Sequence, residues 1–133
     1  AESGTAEAVV AAVAAVAAAR GELKLLGAPG SELLAAAARH GLEGVAEGFA
    51  DRAYRGDGAL VPRDQPGSVL EGQAAVAQAK LIATQRRVVA LDGTVLGLVV
   101  RSLCLHSDTP GAAELAIRAR DALIGAGCEV RPF

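Results

Sequence analysis

The stretch Leu42-Glu43-Gly44-Val45-Ala46-Glu47-Gly48-Phe49-Ala50-Asp51-Arg52-Ala53-Tyr54 sets the fold class. Leu42 to Phe49 reads as a strand, and the chemistry-bearing residues begin where it stops. From Ala50 to Gly67 the chain is a long connection with several Gly and Pro and both signs of charge. Connections longer than roughly 12 to 15 residues are uncommon unless they are functional or disordered. A second polar stretch, Leu103-Cys104-Leu105-His106-Ser107-Asp108-Thr109-Pro110-Gly111, also follows an apolar run. With one Tyr, two Phe and two His in the whole chain, these two stretches hold much of the available chemistry.

Working outward, Thr5 is positioned to cap a helix whose Val9, Val13 and Val16 share a face, with Arg20 in the last turn and Gly21 beyond it. Leu23 to Leu26 is a short strand, closed by Gly27. Ser31 caps a second helix carrying Leu33, Leu34 and Ala37 and ending at His40-Gly41, where His40 meets the C-terminal dipole rather than a ligand. Gln73 to Thr84 restores helical periodicity through Val76, Ala79 and Leu81. Arg87–Leu91 and Thr94–Val100 form the arms of a hairpin, because Asp92-Gly93 supplies the positive φ values of a tight turn. The second arm is expected to run on towards Leu105. Thr109 caps a last helix with Pro110 at its first position and Leu115, Leu123 and Ile124 on its apolar face, and Cys128–Arg131 is a final strand. Helices alternating with strands make this an α/β chain, in which ligands gather at the carboxyl ends of strands.

The bulk numbers bound the classes. With 133 residues, 52% hydrophobic and 21% charged, the chain supports one core and is not disordered by composition. A net charge of -2 without a basic stripe and 2% aromatic residues argue against nucleic acid. Cys104 and Cys128 lack partners at zinc-finger spacing and read as buried thiols in a reducing compartment. The Ala/Val-rich Thr5–Ala19 lacks a basic leader and falls short of the roughly 20 apolar residues of a membrane span. The expected setting is the cytoplasm, with no membrane.

Glu47, Asp51, Arg52, Tyr54, Asp57 and Arg63 crowd into and around the first connection. A carboxylate beside an arginine can hold a planar amide or carboxylate, or position a water for general base attack. The same residues equally describe a loop that pins itself down by a local ion pair. His106 and Asp108 precede a helix N-terminus, a corner suited to phosphate or proton transfer, or simply to capping. No Walker-type glycine loop, Gly-x-Ser-x-Gly elbow or His-Glu-x-x-His pattern occurs.

The runs Glu47–Tyr54, Asp57–Arg63 and Gln65-Pro66-Gly67 resemble the E-x-F-A-D-R-x-Y…D-G-x-L-x-x-R-x-x-P/Q-G signature of the LamB/YcsF family. Leu91-Asp92-Gly93 and Cys104–Gly111 are similar to its later I-D-G and C-V-H-G-D-T-P-G segments, with Ser107 in place of a glycine. The resemblance implies an irregular seven-stranded β/α barrel related to glycoside hydrolase and deacetylase folds. It also implies ATP-dependent opening of the 5-oxoproline lactam to glutamate with two partner subunits, ATP as cosubstrate and a divalent metal as an open question. On that basis Asp51, His106 and Asp108 are expected to be catalytic, and Glu47, Arg52, Tyr54 and Arg63 to bind substrate or nucleotide. The D-x-N-x-D-x-G-E, C-G-x-H-x-G-D-P and H-G-A-L-Y-N segments of the family's first half are not in this sequence. Residues 1–133 are therefore expected to form a single α/β domain or the C-terminal half of the barrel. Unpaired sheet edges would then favour a homo-oligomer or pairing with a separate N-terminal half. A non-catalytic assembly module and a carbohydrate-deacetylase-like protein are the alternatives, the latter without its metal-binding motif.

Overall fold

The computed structural model describes residues 2–132. In order the elements are α1 (Glu2–Arg20), β1 (Lys24–Gly27), α2 (Glu32–Arg39), β2 (Glu43–Phe49), α3 (Gly72–Gln85), β3 (Arg87–Val89), β4 (Val95–Gly97), β5 (Ser102–Cys104) and α4 (Ala112–Gly125). The chain divides into two compact units, Ala1–Glu47 and Gly48–Phe133.

In the first unit β1 and β2 pair in parallel, with Lys24 opposite Glu43 and Leu26 opposite Val45. Lys24 Nζ lies 3.2 Å from Glu43 Oε2. The connection between the strands is α2, as parallel pairing requires a crossover. Ser31 caps α2 as expected, its Oγ accepting from the Leu34 N–H at 3.4 Å. Helix α1 begins earlier than the Thr5 cap predicted, and its inward face differs. Ala6 and Val10 are buried against Ala36 and Ala37 of α2, whereas Val9 and Val16 are 47% and 52% exposed. A face through residues 6, 10, 13 and 17 follows the 3.6-residue period as well as the valine stripe does, and it brings Glu7 to α2. Glu7 meets Arg39 Nε at 2.6 Å and His40 Nε2 at 2.9 Å. Those two side chains hold its carboxyl below the usual range, with His40 the larger cause. By length and composition α1 could cross a membrane.

In the second unit α3 and α4 pack together through Ala75, Val76, Ala79, Leu115 and Ala119. The small alanines let the helices approach closely. A second cluster, Tyr54, Ile82, Val88, Ala90 and Leu98, lies beneath the hairpin of β3 and β4. On α3 the buried member is Ile82, with Leu81 only half-buried, because Ala75, Gln78, Ala79 and Ile82 fall on one face.

The hairpin forms, antiparallel, with Val88 opposite Leu96. Its turn differs from the one Asp-Gly suggests. Ala90 and Thr94 close the loop by a 2.8 Å bond, and only Gly93, at φ 87°, has a positive φ. This is a three-residue loop, in which a single left-handed glycine suffices. Asp92 Oδ1 accepts from the Thr94 N–H at 3.0 Å, which lowers the Asp92 carboxyl. The second arm stops at Gly97, and β5 is separate.

The C-terminal expectations are corrected at three points. Helix α4 starts at Ala112, not after Thr109, with Gly111 as its N-cap at φ 78° and no side-chain capping bond. Thr109 instead closes a turn, its carbonyl accepting from the Ala112 N–H at 3.1 Å. Cys128–Arg131 is not a strand among the described residues. It doubles back after the Cys128 N–H bonds the Leu123 carbonyl at 3.0 Å. With Ala79, Leu103, Ala119 and Arg120 it lines a cleft of about 460 Å³. Ile124, expected inside, is 47% exposed. Cys104 and Cys128 are half-buried and form no disulfide.

Candidate functional site

Beyond Phe49 the backbone leaves the strand and becomes irregular, yet it is held by several backbone hydrogen bonds. The Ala50 N–H donates to the Cys104 carbonyl at 3.0 Å, which sets the loop beside β5. Ala53 donates to the Ser68 carbonyl and Val61 donates to the Ala53 carbonyl, both at 2.9 Å. Antiparallel bridges join Arg52 to Val69 and Tyr54 to Leu60. The long connection is thus folded back on itself.

This fixes Asp51, 1% exposed, beneath His106. Asp51 Oδ2 accepts the backbone N–H of His106 at 2.7 Å. His106 Nδ1 lies 2.9 Å from Asp51 Oδ1 and 3.1 Å from Oδ2. A carboxylate only accepts, so the Nδ1 proton lies in this bond and Nε2 carries the ring's lone pair when the imidazole is neutral. The Phe49 ring stacks on the imidazole, with centroids 5.9 Å apart and planes 20° from parallel. His106 therefore has a fixed orientation, with about a quarter of its side chain, 26%, open to solvent.

Beside this pair Arg63 and Asp108 form a two-pronged ion pair, Nη1 to Oδ2 and Nη2 to Oδ1. The guanidinium pulls the Asp108 carboxyl down to about 2, with a smaller contribution from His106. Asp108 in turn raises Arg63, assisted by the charge of Asp51. The structure brings Asp51, His106, Arg63 and Asp108 into one cluster. Asp108 faces Arg63 rather than capping α4.

The other expected site residues stand elsewhere. Arg52, 7% exposed, turns inward and donates from Nε to the Ser68 carbonyl at 3.2 Å and from Nη2 to the Val61 carbonyl at 2.7 Å. Tyr54, 3% exposed, uses its hydroxyl to accept the Phe49 N–H at 2.8 Å. Both hold the loop from within. Glu47 is half-buried at the end of the first unit. Asp57 pairs with Arg55 at 2.7 Å on the surface. Sequence reasoning missed Gln78, buried on α3, whose amide Nε2 donates to carbonyls of Phe49, Ala50 and Arg52. Its signal was there to read, as a glutamine on an otherwise apolar helix face.

Among the described residues no group of three or more His, Cys, Asp or Glu side chains could hold a metal ion. The oxygens of Asp51 and Asp108 bond to His106 and Arg63.

In the second unit an Asp–His pair stands beside an Arg–Asp pair, groups that can exchange protons or meet a polar ligand. The chain belongs to the LamB/YcsF family, which it matches over residues 1–133. It is 50% identical over 133 residues to the A subunit of 5-oxoprolinase from Streptomyces coelicolor, covering 99% of this chain and 52% of that protein. It is 51% identical over 112 residues to the corresponding 5-oxoprolinase protein of Mycobacterium avium, covering 84% and 44%. The crystal structure of the lactam utilization protein from Thermus thermophilus superposes with a TM-score of 0.88 at 37% identity, over 99% of this chain and 51% of that one. The chain spans about half the length of the relatives it matches.

Proposed function

We propose that this chain contributes one wall of the site of an ATP-dependent 5-oxoprolinase, as its A subunit, in the cytoplasm and with two partner subunits. The observation that carries the reading is the Asp51–His106 pair, held by three short contacts beside the Arg63–Asp108 pair. Relatives of about 50% identity are named as A subunits of 5-oxoprolinase.

Opening a lactam by water requires an oxygen nucleophile at the carbonyl carbon and a proton for the nitrogen as the C–N bond breaks. His106 supplies both transfers. Asp51 keeps the proton on Nδ1, so Nε2 can take a proton from water and then return it to the departing amine. Asp51 also stabilises the imidazolium between the two steps. Arg63, whose charge interacts with that of Asp51, suits the carboxylate of 5-oxoproline, with Asp108 fixing the plane of its guanidinium. ATP enters this scheme as a second substrate, its terminal phosphoanhydride bond cleaved to leave ADP and phosphate as the lactam opens. The rest of the barrel supplies the facing wall, and the irregular β/α barrel is part of the proposal.

The test is ATP-dependent cleavage of 5-oxoproline by the chain with the two partner subunits, with and without a separately expressed N-terminal half from a relative. Turnover is expected only when that half is present. His106→Gln and Asp51→Asn should each lower kcat by about 10² to 10⁴ with assembly intact. Unchanged turnover in both variants would instead identify a non-catalytic assembly module.

A further inference from the structure

We infer that Gln78 is a positioning residue, which sets the backbone of Asp51 and through it the tautomer and orientation of His106. The inference rests on the proposed reading of the Asp51–His106 pair as the proton-transfer group.

Gln78 Nε2 lies 2.8 Å from the Phe49 carbonyl, 2.7 Å from that of Arg52 and 3.2 Å from that of Ala50. Three acceptors face one end of the amide, which assigns the NH2 group to that end. Two hydrogens serve the two short bonds, and the longer bond to Ala50 is shared. The remaining carbonyl in the run, that of Asp51, accepts from the Leu70 N–H at 2.9 Å. All four consecutive carbonyls from Phe49 to Arg52 are therefore tied down, and the Asp51 side chain departs from a backbone with no slack.

Gln78 is 8% exposed on a helix face whose other members, Ala75, Ala79 and Ile82, are 0 to 1% exposed. A long polar side chain is unusual in such a place and is kept there by its bonds. Regular strand pairing does not run on through these carbonyls, because β2 ends at Phe49. The amide does the work of an absent neighbouring strand while leaving the Asp51 carboxylate directed at His106. The Phe49 ring that stacks on His106 hangs from the same clamped segment, so one amide governs two of the contacts that orient the imidazole.

The test reads the imidazole directly and needs no turnover, so it succeeds or fails separately from the functional reading. The chain has two histidines, and His40→Gln assigns the ring nitrogens of His106 by difference. In the parent chain, 15N spectra in mildly alkaline buffer should show the Nδ1–H form dominant. In Gln78→Met, which keeps the length and removes the donors, that form should fall to an equal or minor share. Gln78→Asn, which keeps the donors but retracts them, should lie between. Ile82→Val is the control for mere loss of helix packing, and it should leave the tautomer as in the parent at a comparable fall in melting temperature. In the reconstituted enzyme Gln78→Met should lower kcat about 10- to 100-fold with KM within about twofold, the pattern of a misplaced catalytic group. A parent-like tautomer in both Gln78 variants, or the same tautomer change in Ile82→Val, overturns the inference. Failure of both Gln78 variants to fold also overturns it, because the amide would then be a folding requirement rather than a positioning one.

Discussion

Asp108 shows how little a residue's place in the sequence says about its partner. Its position ahead of α4 suggested phosphate or proton chemistry or a helix cap, and the long connection brings Arg63 to it from 45 residues away. A bidentate guanidinium is a stronger partner for a carboxylate than turn amides are. The consequence is a defined pH response. The folded-state carboxyl is depressed to about 2 from an ordinary 3.8, so its contribution to stability is fully present above the ordinary value. That contribution is lost as pH falls through the folded one. Asp108→Asn should therefore flatten the decline in melting temperature between pH 3.8 and about 2, which acid thermal scans of both proteins would measure. Identical acid limbs would mean the pair is absent in solution. Arg52 teaches the same lesson in the opposite direction. In sequence it sits beside Asp51 in a motif of charged residues, and nothing about adjacency reveals that its guanidinium turns inward to backbone carbonyls. Only the return of Val61 and Ser68 to the loop, a long-range event, makes that visible.

At the scale of elements, the sequence was most legible where a local rule operates alone. Ser31 and its helix, the strand ending at Phe49 and the existence of the hairpin all follow from capping, alternation and turn chemistry. Legibility failed where two local solutions had nearly equal merit. The inward face of α1 is one case, since alanine and valine positions both repeat at helical spacing and only the partner helix chooses between them. The start of α4 is another, since Thr109-Pro110 and Gly111 each supply a plausible boundary. The boundary at the end of α3 carries strain. Arg86 ends α3 in the left-handed region at φ 53°, its N–H bonding the Ile82 carbonyl at 3.0 Å and its carbonyl accepting from Leu98 at 2.7 Å. Glycine adopts that conformation without the cost a side chain incurs there, about 1 to 2 kcal/mol, partly offset by the entropy glycine adds to the unfolded chain. Arg86→Gly should thus raise stability by roughly 0.5 to 1 kcal/mol in urea unfolding. A loss of stability would show that the arginine side chain has a role of its own.

For the molecule as a whole, the two units differ in how much core they hold. The first relies on Ala6, Val10, Ala36 and Ala37 with a few partly buried leucines, and the second has two apolar clusters and a heavily cross-bonded loop. Small cores open at lower free energy. Amide hydrogens of α1 and α2 should exchange faster than those of α3 and β3, by about tenfold or more for each 1.4 kcal/mol between the units. Mass spectrometry of peptides from each unit measures this, and equal protection throughout would mean that the chain opens only as a whole. The candidate site shows the limit of legibility at this scale. Its four clustered residues were all named from sequence, but which of seven candidates would cluster depended on how an irregular loop satisfies its own backbone. That loop also gives the chain an optical handle. The sequence holds no Trp and a single Tyr, and the Tyr54 hydroxyl is bonded to the Phe49 N–H two residues before Asp51. Nearly all intrinsic fluorescence of the chain therefore originates in one phenol ring close to the segment that bears Asp51, so a cuvette measurement without any label registers the state of that segment and of little else.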